Sequence, residues 1–487
     1  MIYMDNKQTV VNNFLWRFME RCGAQSVAFI VSIVLARLLD PSVYGTVAIV
    51  SIFMLIMQVF VDSGMGNALI QKKDADELDF SSVFWFNMAM CSLLYLIMFF
   101  ATPFIASFYD MPELTALVRV LSLMLFISGL KNVQQAYVSR HMMFRIFFFS
   151  TLGGTITAAV VGIVMAYRGF GVWALVAQML VNAAADTTIL WITVKWRPKA
   201  VFSLKRLKLL FSFGWKLLIS AILDTVYNEL RQLIIGKMYT KSDLAQFNQG
   251  QKLPQFIVTN VNTSIDSVLL PTMSKAQDDP AAVRSMTRRA IKTSTYIIMP
   301  FMVGLAVCAE PAIRLILTEK WLPCVPFLRL FCFSFAFYPI HTANLNAIKA
   351  MGRSDLFLIL EILKKIVGLT AILTTMWISV LAMALSLPFT SIICQMINAW
   401  PNKKLLGYSY WHQFTDMLPQ IVMSLGMGAV VYCVQLLGMN DLLTLLIQVP
   451  LGAFLYIWLS KKFHVESYSY VINTVKDFLN KRKTKES

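Results

Sequence analysis

The residues able to do chemistry in this sequence are ionisable and amide side chains set inside apolar runs. Lys216, Ser220, Asp224, Asn228 and Arg231 recur at helical spacing and fall within an arc of about 120°. Asn13, Arg17, Arg21 and Gln25 form a similar stripe near the start of the chain. A third stripe runs through Asn248, Gln251, Lys252, Gln255, Thr259, Thr263 and Asp266, and a shorter one through Gln178, Asn182 and Asp186. Glu361, Lys364 and Lys365 sit about 10–17 Å inside another apolar run by helical rise. Each charge would cost ~2.5–3.5 kcal/mol at a lipid-facing helix centre, so these groups are expected to face protein or water. Basic members outnumber acidic ones, and a cavity lined this way suits an anion, Arg offering forked donors to phosphate or carboxylate.

The candidate substrate-binding residues are therefore Arg17, Arg21, Lys216, Asn228, Arg231, Lys252, Lys364 and Lys365. Asp186, Asp224 and Glu361 are the candidates for coupling to an ion gradient. A competing reading makes Asp224–Arg231 and Glu361–Lys365 internal ion pairs that only hold helices together. For any single polar position the competing reading is a helix–helix hydrogen bond.

Bond-making chemistry is not signalled. There is no G-x-x-x-x-G-K-[ST] phosphate loop, no H-E-x-x-H and no G-x-S-x-G. The four histidines are far apart, and the seven cysteines are scattered without C-x-x-C. Asp74-Ala75-Asp76 has the form of a metal–nucleotide-sugar motif but reads as a solvated charge run in a short loop. No cofactor or metal is expected, and the chain reads as a transporter working by alternating access, not an enzyme.

The elements that must carry these residues follow from composition. The chain has 487 residues, 57% apolar and 14% charged, about half the charge of a soluble domain. Stretches of ~20 apolar residues occur at 13–37, 43–66, 82–106, 114–137, 145–167, 171–194, 213–237, 244–271, 288–309, 325–348, 355–376, 378–399, 415–437 and 441–460. The expected fold is all-α, a polytopic integral membrane protein of about 14 transmembrane helices. The boundary at 376–379 is the least marked. The first stretch starts too near the N-terminus and runs too long for a cleavable signal peptide. Trp16, Trp173, Trp215, Trp321, Trp377, Trp400, Trp411 and Trp458 fall near expected helix ends, where the ring suits the headgroup layer.

Lys+Arg number 43 against 26 Asp+Glu, a net charge of +17. Roughly 29 of the basic residues lie in the even-numbered loops and termini and about six in the odd loops, which places both termini in the cytoplasm. The charge is thus mainly a topology signal, and no nucleic-acid partner is expected. The basic, apolar alternation of 203–210 suits a short helix lying on the inner leaflet.

Trp16-Arg17 and Trp215-Lys216, Arg37 and Lys237, and Arg119 and Arg329 recur about 200–210 residues apart. Spans one to six and seven to twelve therefore read as two six-helix repeats around a central cavity, with two C-terminal helices appended. The implied organisation is an N-tail (1–12), an N-lobe (13–194), a basic amphipathic linker (195–212), a C-lobe (213–399), spans thirteen and fourteen (400–460) and a basic tail (461–487).

Particular motifs carry a resemblance. Leu35-Ala36-Arg37-Leu38-Leu39-Asp40-Pro41 with Tyr44-Gly45, Asp62-Ser63-Gly64 to Ala68-Leu69-Ile70-Gln71, Gly169-Phe170-Gly171-Val172-Trp173-Ala174-Leu175, and Pro401-Asn402-Lys403-Lys404 to Gly407-Tyr408 resemble the polysaccharide transporters. These are oligosaccharide-lipid flippases of the lipopolysaccharide and exopolysaccharide branch of the multidrug/oligosaccharidyl-lipid/polysaccharide exporter superfamily. The resemblance implies a bacterial inner-membrane protein that turns undecaprenyl-pyrophosphate-linked oligosaccharide from the cytoplasmic to the outer face for lipopolysaccharide, capsule or exopolysaccharide synthesis. It implies a lipid-linked oligosaccharide and membrane lipids as partners, with polymerase or export machinery as further ones. The alternatives are a peptidoglycan-precursor lipid flippase, a drug/cation exporter of the same superfamily, and a membrane polymerase or glycosyltransferase.

Overall fold

The computed structural model describes residues 23–62, 65–72 and 74–473, together with Trp16, Met19 and Lys476. Regular structure among the described residues is helical throughout. Ten spans among them are long and apolar enough to cross a membrane. They coincide with expected spans two to six, nine, ten and twelve to fourteen.

The other four expected spans are helical but do not reach that threshold. They are α1 (Gly23–Leu38), described only from Gly23, α9 (Leu204–Met238), α10 (Lys241–Lys275) and α15 (Ser354–Thr375). α1 is short only because its description begins at Gly23, and the stripe with Arg17 lies outside the described residues; for the other three the cause is chemical, since they carry the stripes of Lys216, Lys252 and Glu361. Polarity therefore sets α9, α10 and α15, which need polar surroundings, apart from the ten spans that lipid alone can solvate.

Two compact units make up the chain, Met1–Ala245 and Gln246–Ser487. In the first, α7 (Phe144–Tyr167) and α8 (Val172–Thr193) approach closely at glycines. A Cβ on Gly154 would lie 2.9 Å from the Asn182 carbonyl, and one on Gly162 would lie 3.0 Å from Gln178 Cβ. The polar stripe of α8 thus begins as a packing seam. In the second unit, α11 (Pro280–Val307) receives α17 (Tyr410–Gln435) where Gly428 faces Val303, with 2.5 Å left for a Cβ.

Spans four and ten are each broken. The first is α5 (Leu114–Leu121) followed by α6 (Met124–Arg140), the second α13 (Val325–Ala336) followed by α14 (Tyr338–Ala350). In each, an arginine donates to a backbone carbonyl of the preceding span: Arg119 to Phe99 at 3.4 Å and Arg329 to Ala306 at 3.1 Å. Each span also leaves through a left-handed residue, Met142 at φ 54° and Gly352 at φ 72°. These correspondences sit about 210 positions apart.

Two local expectations change, and a third is extended. The segment 203–210 forms no separate short helix, because α9 runs unbroken from Leu204 for 35 residues. Trp321 is completely buried, so it packs a 3₁₀ turn and anchors no interface. Asp76 is exposed, as a charge run should be, but it also has structural partners. It caps α4 (Glu77–Phe108) in a reciprocal box with Asp79 and pairs with Arg206 at 2.6 Å. Asp79 is fully buried and held by Lys72 at 2.5 Å. Arg206 donates to the Asp76 carboxylate and holds it at about 2. The acidic loop thereby docks the basic linker onto α4. Ser81 and Ser82 accept from the backbone N–H groups of Lys199 and Ser203 at 3.1 and 3.0 Å. At the unmarked boundary, α15 ends at Thr375 and Ser379 caps α16 (Val380–Leu405) by accepting from Ala382 N–H at 3.0 Å.

Candidate functional site

In the first unit the site is built on α9. Asp224 and Asn228 are exposed on it, and the Asn228 amide donates to the Asp224 carboxylate at 3.1 Å. Arg231, one turn on, is buried. Lys216 lies in the same helix, but its side chain falls outside the described residues, as do Arg17 and Arg21 entirely.

What positions α9 is its far end. A Cβ on Gly236 would lie 3.1 Å from Ile49 of α2 (Pro41–Asp62), a close helix contact. Tyr109 donates to the Leu233 carbonyl at 3.4 Å. The turn after α4 then grips the hairpin from α9 to α10: Asp110 takes Lys237 at 2.9 Å and Glu113 takes Lys241 at 2.5 Å.

Asp186 is brought together with a residue outside the predicted set. Lys131 of α6 reaches its Oδ2 at 2.5 Å, and the carboxylate is only 8% exposed. Lys131 also acts electrostatically on Asp62, whose Oδ1 accepts from Gln58 at 3.1 Å and Asn132 at 3.4 Å. The geometry makes Asp186 the counter-ion of Lys131.

In the second unit, Lys252 projects from α10 within electrostatic range of Cys324. Asp266, further along α10, accepts from Asn346 at 2.7 Å. On α15, Glu361 takes Lys364 at 2.6 Å, both half-buried, and Lys365 is half-buried beside them. An amide network binds α14 to α16 and α17: Asn344 and Gln413 exchange hydrogen bonds of 2.8 and 2.9 Å, and Asn402 donates to Asn344 Oδ1 at 2.7 Å. A pocket of about 380 Å³ lies beside Lys292, Asp416 and Glu466. Its charges are already paired, Arg288 with Asp416 at 2.7 Å and Lys292 with Glu466.

A family model described as "Polysaccharide biosynthesis protein" matches residues 34–326. The chain belongs to this family. Its relatives include the succinoglycan biosynthesis transport protein ExoT of Rhizobium meliloti, 26% identical over 68% of this chain and 67% of that protein. The teichuronic acid biosynthesis protein TuaB of Bacillus subtilis is 25% identical over 85% of this chain and 87% of its own. Among solved structures, the lipid II flippase MurJ in an inward closed conformation superposes with a TM-score of 0.73 at 16% identity, over 93% of this chain and 99% of that one. This last likeness establishes the fold of a multi-pass membrane protein.

Lys131, Glu229 and His341 are further polar residues of the spans that lie outside the predicted set. Lys131 stands between apolar stretches of span four with Gln134 one turn on, a signal present but short. Glu229 accepts from Gln232 at 2.7 Å and lies off the main stripe of α9. His341 belongs with Asn398 and Asn402, whose i,i+4 spacing marks a polar face of span twelve.

Proposed function

We propose that this protein flips undecaprenyl-pyrophosphate-linked oligosaccharide from the cytoplasmic to the outer face of a bacterial inner membrane, for surface polysaccharide synthesis. Both termini lie in the cytoplasm, and transport proceeds by alternating access through a cationic cavity. Arg17, Arg21, Lys216, Asn228, Arg231, Lys252, Lys364 and Lys365 meet the pyrophosphate or acidic sugars, and Asp186, Asp224 and Glu361 carry the ion coupling. One observation supports this reading: within a polysaccharide biosynthesis family, the three long helices too polar for lipid, α9, α10 and α15, are those bearing Lys216, Lys252 and Lys364. Pyrophosphate is the anion such a lining suits. The names of relatives dedicated to succinoglycan transport and teichuronic acid synthesis support a glycan cargo.

The test is reconstitution of the purified protein in vesicles with a labelled lipid-linked glycan, with and without an imposed proton or sodium gradient. Flipping is expected in the wild type and is lost in a folded Arg21→Ala, Lys216→Ala double variant. Normal flipping by that variant overturns the binding assignment. The likeness to a lipid II flippase favours a second reading, a peptidoglycan-precursor cargo. Rescue of a strain lacking that activity would decide for it.

A further inference from the structure

The anion-binding argument makes no use of the pocket in the second unit. It lies where α11, α17 and the turn after α18 (Asp441–Lys462) meet, and its volume is about 380 Å³, within the range of small-ligand sites. Pro419, Val422, Met423, Phe463 and Val465 give it apolar walls, while Lys292, Thr415, Asp416 and Glu466 bring polar groups. Along α17 the polar Thr415 and Asp416 come first, and Pro419, Val422 and Met423 follow further into the span. Val422 also belongs to an exposed apolar row on the same helix, with Leu418 and Leu425. That helix is a membrane span, so the row meets acyl chains. The pocket therefore opens onto lipid.

Its charges decide which lipid fits. Asp416 is fully engaged: Arg288 donates to its two oxygens at 2.7 and 2.8 Å, and Tyr408 donates at 2.8 Å. The remaining pair is Lys292, 17% exposed, with Glu466, 75% exposed. An ion pair with so exposed a partner exchanges readily with other charges. A purely anionic headgroup that took Lys292 would set its phosphate beside the displaced carboxylate. A zwitterion avoids that conflict, because its phosphate takes Lys292, its ammonium takes Glu466, and one ion pair becomes two. The wall holds a further acceptor. Pro419 sits inside α17 and has no N–H, so the Thr415 carbonyl lacks its helical donor. A primary ammonium has N–H groups to give to that carbonyl, and a quaternary one has none. Around the pocket, Arg284 and Arg289 stand over the Tyr408 and Tyr470 rings at 6.0 and 5.3 Å. With Lys461 and Lys462 they draw phosphate headgroups of every kind, and Glu466 does the selecting.

We propose that this pocket is a phospholipid site selective for a headgroup with a primary ammonium, seated between Lys292 and Glu466, with an acyl chain along Leu418, Val422 and Leu425. The lipid touches α11, α17 and the chain after α18, and so fastens helical residues 466–473 to the two spans. Its occupant is a lipid of the surrounding membrane and not a cargo, so the site stands independently of the flippase reading.

The experiment titrates full-length protein, stripped of co-purified lipid, with phosphatidylethanolamine, phosphatidylcholine and phosphatidylglycerol of identical acyl chains. Native mass spectrometry reads the affinity of the first lipid retained. Phosphatidylethanolamine is expected to bind about tenfold more tightly than either of the others. Glu466→Gln changes an exposed side chain and leaves the fold intact; it frees Lys292 and is expected to turn the order in favour of phosphatidylglycerol. Pro419→Ala returns an N–H to α17 and is expected to weaken phosphatidylethanolamine about threefold, with phosphatidylglycerol unchanged. Equal affinities in the wild type overturn the selectivity. An order that survives Glu466→Gln overturns the site, because the lipid then sits elsewhere, and an unchanged affinity in Pro419→Ala counts against the ammonium seat. Glycerophosphoethanolamine, the headgroup without its chains, is expected to compete only weakly. Competition as strong as that of the whole lipid overturns the lipid occupant in favour of a soluble zwitterion.

Discussion

Lys131 and Asp186 make a quantitative test of how this protein carries charge within its spans. At 2.5 Å and an effective dielectric near 20, the pair attracts by ~6–7 kcal/mol before desolvation is counted. The two single deletions are unequal because the partners are buried unequally, Asp186 at 8% exposure and Lys131 at 26%. Lys131→Met strands a carboxylate whose Oδ1 is already without a partner, and the expected loss is ~3–5 kcal/mol. Asp186→Asn leaves an ammonium that can turn toward water, with an expected loss of ~1–2 kcal/mol. The double variant Lys131→Met, Asp186→Leu removes both charges and should recover ~2 kcal/mol of the sum of the singles. Reversible unfolding in mixed detergent–SDS micelles, followed by tryptophan fluorescence, measures all three. Equal losses from the two singles, or an additive double variant, would refute the reasoning.

Asp76→Ala should lose ~1 kcal/mol from the helix cap and open the Lys199–Lys208 segment to trypsin, whereas Asp76→Asn keeps the cap and loses only the attraction to Arg206. Since the folded carboxyl sits at about 2, below its usual ~3.9, its contribution is complete above pH ~4 and disappears as pH falls through ~2; acid unfolding of the two variants reads this out. Gly45→Ala puts a Cβ 1.9 Å from the Lys241 carbonyl oxygen. It must push α2 and α10 apart, for a loss of ~1–3 kcal/mol in thermal unfolding. Met142→Gly should gain ~1 kcal/mol, because the left-handed φ of 54° strains a side chain where the matching turn already uses Gly352. No gain in melting temperature would show the turn to be unstrained.

The spans were legible because lipid imposes a length and a composition, and ten emerge as helices close to where periodicity put them. The internal repeat was visible at Arg119 and Arg329 for a physical reason: each answers a backbone carbonyl at the end of a neighbouring span. Pairings across helices were not legible. Lys131 and Asp186 are 55 positions apart in sequence, and nothing in either run points to the other. That the basic linker folds back onto the exposed Asp74–Asp76 loop was not legible either, because composition does not show it. His341 stands far from the other histidines in sequence, and its partner is the amide of Asn398, 57 positions on.

The polarity of α9 has a consequence for how the chain is made. A segment carrying Lys216, Asp224, Glu229 and Arg231 pays ~2.5–3.5 kcal/mol for each charge offered to lipid near its centre. Such a segment does not partition into the bilayer alone as it leaves the ribosome. Much of what receives it has already been synthesised: Ile49 on α2, Tyr109 to Glu113 at the turn after α4, and the acidic loop that holds Arg206. The N-terminal helices are therefore a mould into which the seventh segment is cast. Its insertion is a templated step, and the moment of biogenesis at which a faulty first unit would be exposed.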